Sequence, residues 1–275
     1  MHRIRNTFFL LFAMFYVDVA VAAIAEEVVF ESRGARLVGS MFLPEGASPT
    51  AAVVLVHGSG PRERMSGLAN LLASAGIAAL TYDKRGVGAS GGVYEGEDNA
   101  SSSNLDLLAA DAAAAYRLLQ ERDGVSGIPI GYAGISQAGW IIPIAAATTS
   151  DVDFMVLWSA PVTKVSEELL FSAEAAEDDE MANQQRAYAQ RISSDDTDPR
   201  DNLADLDIPA VWLFGDIDAS VPVALSIERL DELIAEGHRF EYQTFTGYGH
   251  DIGGSSDPRI RAAIKWIEER ATKSE

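Results

Sequence analysis

The chain has no cysteine among its 275 residues. That excludes a disulfide framework, a thiolate nucleophile, a cysteine-based zinc site and a lipid-modified N-terminal cysteine, so stability must come from the core alone. Basic residues are also scarce: 21 Lys and Arg stand against 41 Asp and Glu, a formal charge of −20. Such a field repels a phosphate backbone, so nucleic acid is not an expected partner, and the acidity itself reads as solubility. Histidine is rarer still, with four in the whole chain. No uninterrupted apolar run reaches the roughly 20 residues that a bilayer-spanning helix needs.

What apolar run there is near the N-terminus, TFFLLFAMFYV, has 11 residues. A short basic start (His2, Arg3, Arg5) precedes it, and a small-residue region ending Ala23-Ile24-Ala25 follows, with Ala20-Val21-Ala22 as a second cleavage site. This pattern predicts a signal peptide over residues 1–25, removed on export to the periplasm or medium, with no stable membrane association afterwards. An uncleaved anchor extending through Asp18 to Ala25 is the alternative.

From Glu26 onward, short apolar runs alternate with helical patterns, the signature of an α/β domain with a mostly parallel sheet covered on both faces. EEVVFESRGARLVGSMFLP predicts an opening hairpin turning at Arg33-Gly34, and AAVVLVHG, IAALTYD, IPIGYAG, DFMVLWS, IPAVWLFG and FEYQTF predict strands. Between them SGLANLLASAG and SNLDLLAADAAAAYRLLQERDG read as helices closing at Gly76 and Gly124, while Pro222 and Pro258 fit first helical turns, with Asp257 as a cap. One stretch breaks the alternation. Residues 163–205 separate two strands by about forty positions, far more than a usual loop and helix, and they carry the acidic run Glu177-Asp178-Asp179-Glu180. A solvated helical excursion and a helical lid over a site are the two readings of it.

Two serines sit in nucleophile-like patterns. Gly88-Ala89-Ser90-Gly91-Gly92 matches G-x-S-x-G in full, whereas Gly134-Ile135-Ser136-Gln137-Ala138 misses it by one methyl group. The motif has meaning only where a strand runs into a turn and then a helix. Ser136 follows a strand directly and precedes a helical run; Ser90 lies eight residues past Tyr82 in a glycine-rich stretch that starts no helix. The same glycines spell G-x-G-x-x-G, but with no helix end to face a pyrophosphate, a dinucleotide cofactor loses its physical basis, and no cofactor or metal is called for.

A serine hydroxyl needs an imidazole to take its proton and a carboxylate to orient that imidazole, in the chain order Ser, Asp or Glu, His. Elimination leaves one base. His2 lies in the signal peptide, His57 precedes Ser136, and His238 falls before the last strand, so His250, after that strand, is the candidate. Asp216 and Asp218 in GDIDASVP both follow the preceding strand; Asp218, further into the loop, is favoured to reach His250, and a capping or turn role is open to either. Charge developing on a carbonyl oxygen needs two backbone N–H donors. Gln137, just after the serine, and Ser59, in VHGSGPRER, are the candidates.

HGSGP, YDKRGVGAS, GISQAG, GDIDASVP and GYGHD, spread over almost the whole mature chain, together resemble the α/β-hydrolase superfamily, and within it bacterial serine esterases and prolyl-oligopeptidase-like hydrolases. The resemblance implies an α/β-hydrolase fold, a structural DKRG turn that sets Ser90 aside, and Ser136, Asp218 and His250 as nucleophile, acid and base. The sequence departs from the pattern at Ala138, where a glycine is usual, and at Ile135, where histidine is frequent. The expectation is an exported serine hydrolase acting on small carboxylic esters. A peptidase or acyl-peptide hydrolase and a hydrolase-fold protein that binds without turnover are the alternatives. Arg62, Arg64 and Trp140 are residues through which pocket specificity could be set.

Overall fold

Residues 24–272 are described by a computed structural model. The hairpin comes first: β1 (Ile24–Ser32) and β2 (Ala35–Leu43) run antiparallel through a turn in which Arg33 and Gly34 both have positive φ, 46° and 77°. Two left-handed residues are what a tight hairpin turn requires. Residues 1–23, most of the stretch read as a signal peptide, lie outside the described residues.

The remaining strands are β3 (Ala51–Val56), β4 (Ile77–Tyr82), β5 (Ile130–Ile135), β6 (Phe154–Trp158), β7 (Ala210–Gly215) and β8 (Phe240–Phe245). They form one eight-stranded sheet in the order β1-β2-β4-β3-β5-β6-β7-β8. Only the β1–β2 and β2–β4 pairs are antiparallel. Strands β3 to β7 are buried except at Ile135, the last residue of β5, and almost wholly apolar on both faces, as expected of parallel strands sandwiched between helices.

The helices are α1 (Ser66–Ser74), α2 (Ser102–Gln120), α3 (Ala138–Ala147), α4 (Val165–Ala175), α5 (Asp179–Ile192), α6 (Arg200–Leu203), α7 (Val223–Ala235) and α8 (Pro258–Ala271). The period-two alternation of β3 divides them. Val53 and Leu55 pack with Leu72 of α1 and Ala263, Trp266 and Ile267 of α8. Val54 and Val56 face the other way, to a core holding Tyr116 of α2, Ile141 of α3 and Leu230 of α7. Caps fix where helices start: the Ser101 hydroxyl accepts from the Asn104 amide at α2, and Asp257 accepts from the Arg259 amide at α8, with Pro258 in the first turn. Pro222 stands at the N-cap of α7, one residue ahead of its expected place in the first turn.

The long stretch 163–205 is helical, made of α4, α5 and α6. It is anchored to the body by Glu167, whose carboxylate accepts two hydrogen bonds of 2.6 Å from Arg229 of α7, and by the Tyr188 hydroxyl of α5, which accepts from the Ala100 amide. These ties bring α4 over the C-terminal ends of the parallel strands, where loops from β3, β5, β7 and β8 converge and where open α/β sheets hold their ligands.

Candidate active site

The turn after β5 carries Ser136 at φ +55°, in the left-handed region that a non-glycine residue occupies at a cost. Its amide donates to Trp158 O, and its own carbonyl accepts from the Gly139 amide as α3 begins, so the chain reverses sharply at a half-buried serine. The Ala138 departure is absorbed locally. A Cβ added to Gly134 would stand 2.4 Å from the Ala138 Cβ, so the glycine in β5 makes room for the methyl that the elbow usually lacks.

His250 follows β8 and lies beside Ser136. Its Nε2 is 3.0 Å from Ser136 Oγ, and its Nδ1 is 2.9 Å and 3.1 Å from the two carboxylate oxygens of Asp218. A carboxylate only accepts, so Nδ1 carries the proton and Nε2 is left as the acceptor for the serine hydroxyl. Asp218 Oδ1 also accepts from the amides of Ser220 and Val221, which fixes the carboxylate before the imidazole meets it. Asp216 has different work: its carboxylate accepts from the Gly247 amide at 2.6 Å and holds the turn between β8 and His250.

Burial pulls the His250 pKa down, but the hydrogen bond and charge of Asp218, with smaller help from Glu168 and Asp251, leave it above the ordinary imidazole value. Of the other described histidines, His57 also lines the cleft but has no hydrogen-bond partner for its buried Nε2 among the described residues, and His238 lies outside the cleft. His57 packs edge-on against Tyr82, and burial, followed by the charge of Lys84, lowers its pKa to about 3, so it stays neutral. His238 stacks on Phe240 and meets Leu206 O through Nδ1.

Ser136 and His250 open onto a cleft of about 530 Å³. Gly58 and Ser59, from the loop after β3, form one wall, and Glu168, Leu169 and Ser172 of α4 with Gln185 of α5 form the facing one. A larger groove of about 620 Å³ at the opposite strand ends is lined by no serine and no histidine. Among the described residues no cluster of His, Cys, Asp or Glu could hold a metal ion, and no helix is long and apolar enough to cross a membrane.

Ser90 is buried away from this cleft. Its hydroxyl accepts from the Val38 amide at 2.9 Å and donates to Asp83 O at 2.7 Å, tying the DKRG turn to β2. In the same turn Arg85 forms a buried ion pair with Asp111 of α2, and Asp83 accepts two hydrogen bonds from the Arg64 guanidinium. Burial raises the Asp83 pKa, but Arg64 and two backbone amides outweigh it, to about 2. Arg64 is thus engaged on the protein, and Trp140 is buried with its indole N–H donating to Thr163 O; Arg62 alone of the three reaches the cleft.

Two residues at the site are not singled out by sequence reasoning, though one stands in the DKRG turn. Glu168 faces the cleft from α4 with no hydrogen bond to its carboxyl among the described residues; burial, moderated by His250 and reinforced by Asp218, raises its pKa to about 7. Lys84 lies behind the Gly58–Gly60 loop and is 1% exposed.

Comparison with known proteins gives this arrangement a context. Residues 47–198 match the family described as serine aminopeptidase, S33. Esterase EstD of Thermotoga maritima is 31% identical over 140 residues, which cover 48% of this chain and 32% of EstD, so the chain spans about a third of that relative's length. An esterase of Pyrococcus furiosus has the same fold at 16% identity, with a TM-score of 0.64 over 99% of this chain and 96% of that one. An acylaminoacyl peptidase of Pyrococcus horikoshii does so at 17% identity, with a TM-score of 0.65 over 91% of this chain and 41% of that one.

Proposed function

The chain belongs to the serine aminopeptidase, S33, family of hydrolases, and from that premise we propose that it cleaves small carboxylic esters through an acyl-enzyme formed on Ser136. The observation that carries the reading is the hydrogen-bonded run from Asp218 through His250 to Ser136 at the mouth of the cleft. As Ser136 Oγ adds to the ester carbonyl, its proton passes to His250 Nε2, and Asp218 holds the resulting imidazolium. The carbonyl oxygen becomes an oxyanion facing the amides of Gln137 and Ser59. Collapse expels the alkoxide, which takes the proton from His250 and leaves as the alcohol. Water then adds to the acyl-serine with His250 as base, and release of the acid restores Ser136.

Amide cleavage is the second reading. The family description and the unpartnered Glu168 carboxyl favour it, since a substrate ammonium entering the cleft would meet that carboxyl. We read α4 to α6 as a lid on the cleft, and residues 1–25 as an export signal that sends the mature chain to the periplasm or medium.

Fluorophosphonate labelling of wild type, Ser136→Ala and His250→Ala, paired with turnover of p-nitrophenyl acetate and aminoacyl p-nitroanilides, tests the assignment. Labelling and ester turnover lost in both variants support it, and faster anilide than ester cleavage would move amide chemistry ahead. A folded wild type that neither labels nor turns over would remove the catalytic reading. N-terminal sequencing of the protein recovered from cell fractions tests the export signal.

A further inference from the structure

Lys84 is buried with no carboxylate within salt-bridge distance among the described residues, an expensive state for an amine. Its Nζ donates instead to three neutral acceptors: Gly58 O at 2.9 Å, Gly60 O at 3.2 Å and Gln137 Oε1 at 2.8 Å, with Asn99 Oδ1 further off at 3.4 Å. Three N–H groups meet three acceptors, so the geometry of the amine is fully used. Two of the acceptors lie on the loop after β3, and the third belongs to the residue after Ser136. Those segments supply the two amides that face the oxyanion.

Peptide planarity turns this contact into an orientation. In a trans peptide the C=O and the following N–H point opposite ways, so a Gly58 carbonyl aimed at Lys84 turns the Ser59 N–H away from Lys84. Gly58 and Ser59 line the cleft, and Lys84 lies behind them. Gln137 is held in the same manner, its Oε1 accepting from Lys84 and its Nε2 donating 2.8 Å to Asn99 O. The spacing is tight. A Cβ added to Gly58 would stand 3.3 Å from the Ser136 Cβ, which leaves little freedom between loop and nucleophile.

We infer that Lys84 is the positioning residue of the oxyanion hole, one amine that clamps the Gly58–Gly60 loop to Gln137 and so fixes the separation and aim of the Ser59 and Gln137 amides. The inference rests on the reading of Ser136 as the nucleophile. Burial, and after it the charge of Arg62, lower the Lys84 pKa to about 7, in keeping with an amine withdrawn from water and met only by neutral acceptors. Through this clamp the DKRG turn acts on the reaction, because the residues flanking Lys84 are locked in place: Asp83 by Arg64, and Arg85 by Asp111.

The test is Lys84→Met, read as kcat and KM for p-nitrophenyl acetate per active site titrated with a fluorophosphonate, beside wild type and Ser136→Ala. Titration counts only competent sites, so a loss of folded protein does not imitate a loss of positioning. Misaimed donors weaken only the transition state, so kcat should fall about 10- to 100-fold with KM within about threefold. A kcat per site within threefold of wild type overturns the inference while leaving the Ser136 reading intact. Full turnover in Ser136→Ala would instead overturn that reading. Should Lys84→Met not fold, Gln137→Met, which breaks the clamp from its other end and keeps the backbone amide, is judged by the same criterion.

Discussion

Replacing Ser90 by alanine separates a structural serine from the proposed nucleophile, Ser136, by magnitude as well as by kind. The hydroxyl is buried and makes two hydrogen bonds, accepting from the Val38 amide and donating to Asp83 O. Alanine leaves both backbone groups without that partner in a place water does not reach. A buried polar group left unpaired costs about 1–3 kcal/mol, and with two of them softened by local relaxation, Ser90→Ala should destabilise the protein by about 2–4 kcal/mol. At about 2–4 °C per kcal/mol for a domain of this size, the melting temperature falls by roughly 4–16 °C. The Ser136–His250 contact is untouched, so fluorophosphonate labelling and kcat per folded molecule stay at wild-type values well below the new melting point. Calorimetry and labelling on the same sample read both quantities. An unchanged melting temperature together with lost labelling would refute the reasoning and return Ser90 to candidacy.

Asp218→Asn should lower kcat by about 10³–10⁴-fold with the fold retained: an asparagine that keeps the Ser220 and Val221 amides on its oxygen turns its NH₂ toward His250 Nδ1, which must then accept, and the proton moves to Nε2 where the base is needed. Asp216→Asn should change kcat by only a few-fold, since Asp216 holds a turn. The proposed base, His250, works only when neutral and its pKa is raised above 6.5, so kcat/KM should fall as pH drops through that raised value. Glu168→Gln removes a charge that favours the imidazolium, so the acid limb of a pH–rate profile should shift to lower pH; a shift upward would contradict that influence. Gly215→Ala would place a Cβ 2.0 Å from Tyr248 O, pushing back the turn that leads to His250. It should cost about 1–3 kcal/mol on thermal unfolding and lower kcat, and wild-type values for both would show that the turn yields freely.

The sheet was legible because parallel strands buried on both faces are continuous apolar runs, and AAVVLV and AVWLFG leave no polar position to confuse with a helix, while IAALTY has only Thr81 and Tyr82 at its end. The hairpin was legible for a different reason, since Arg33-Gly34 announces a turn that needs two positive φ angles. Nothing local says that β4 pairs with β2 and β3 while β5 lies on the far side of β3; that order depends on how the crossovers pack. The stretch 163–205 was visible as an interruption, but its placement over the strand ends depends on Glu167 reaching Arg229 across about sixty positions of chain, a partnership that no periodicity encodes.

At the site the legible residues are those whose chemistry constrains chain order. Ser136 is distinguished from Ser90 by the strand before it and the helix after it, and His250 by a histidine count low enough for elimination. Position in the loop favours Asp218 over Asp216 without settling the choice, because which carboxylate faces an imidazole depends on a loop turn, here the one closed by the Ser220 and Val221 amides on Asp218. The roles of Lys84, which stands in the DKRG turn, and of Glu168 escaped for a shared physical reason. Lys84 is buried behind a loop and Glu168 is half-buried in the wall of a cleft, and such withdrawal of a charged residue from water is a property of the assembled fold that a sequence window reads as a solvated side chain. The residues hardest to find by motif are therefore those whose ordinary solvation the fold has reduced, and around this cleft they are Glu168 in its wall and Lys84 behind it, whose pKa values both move to about 7.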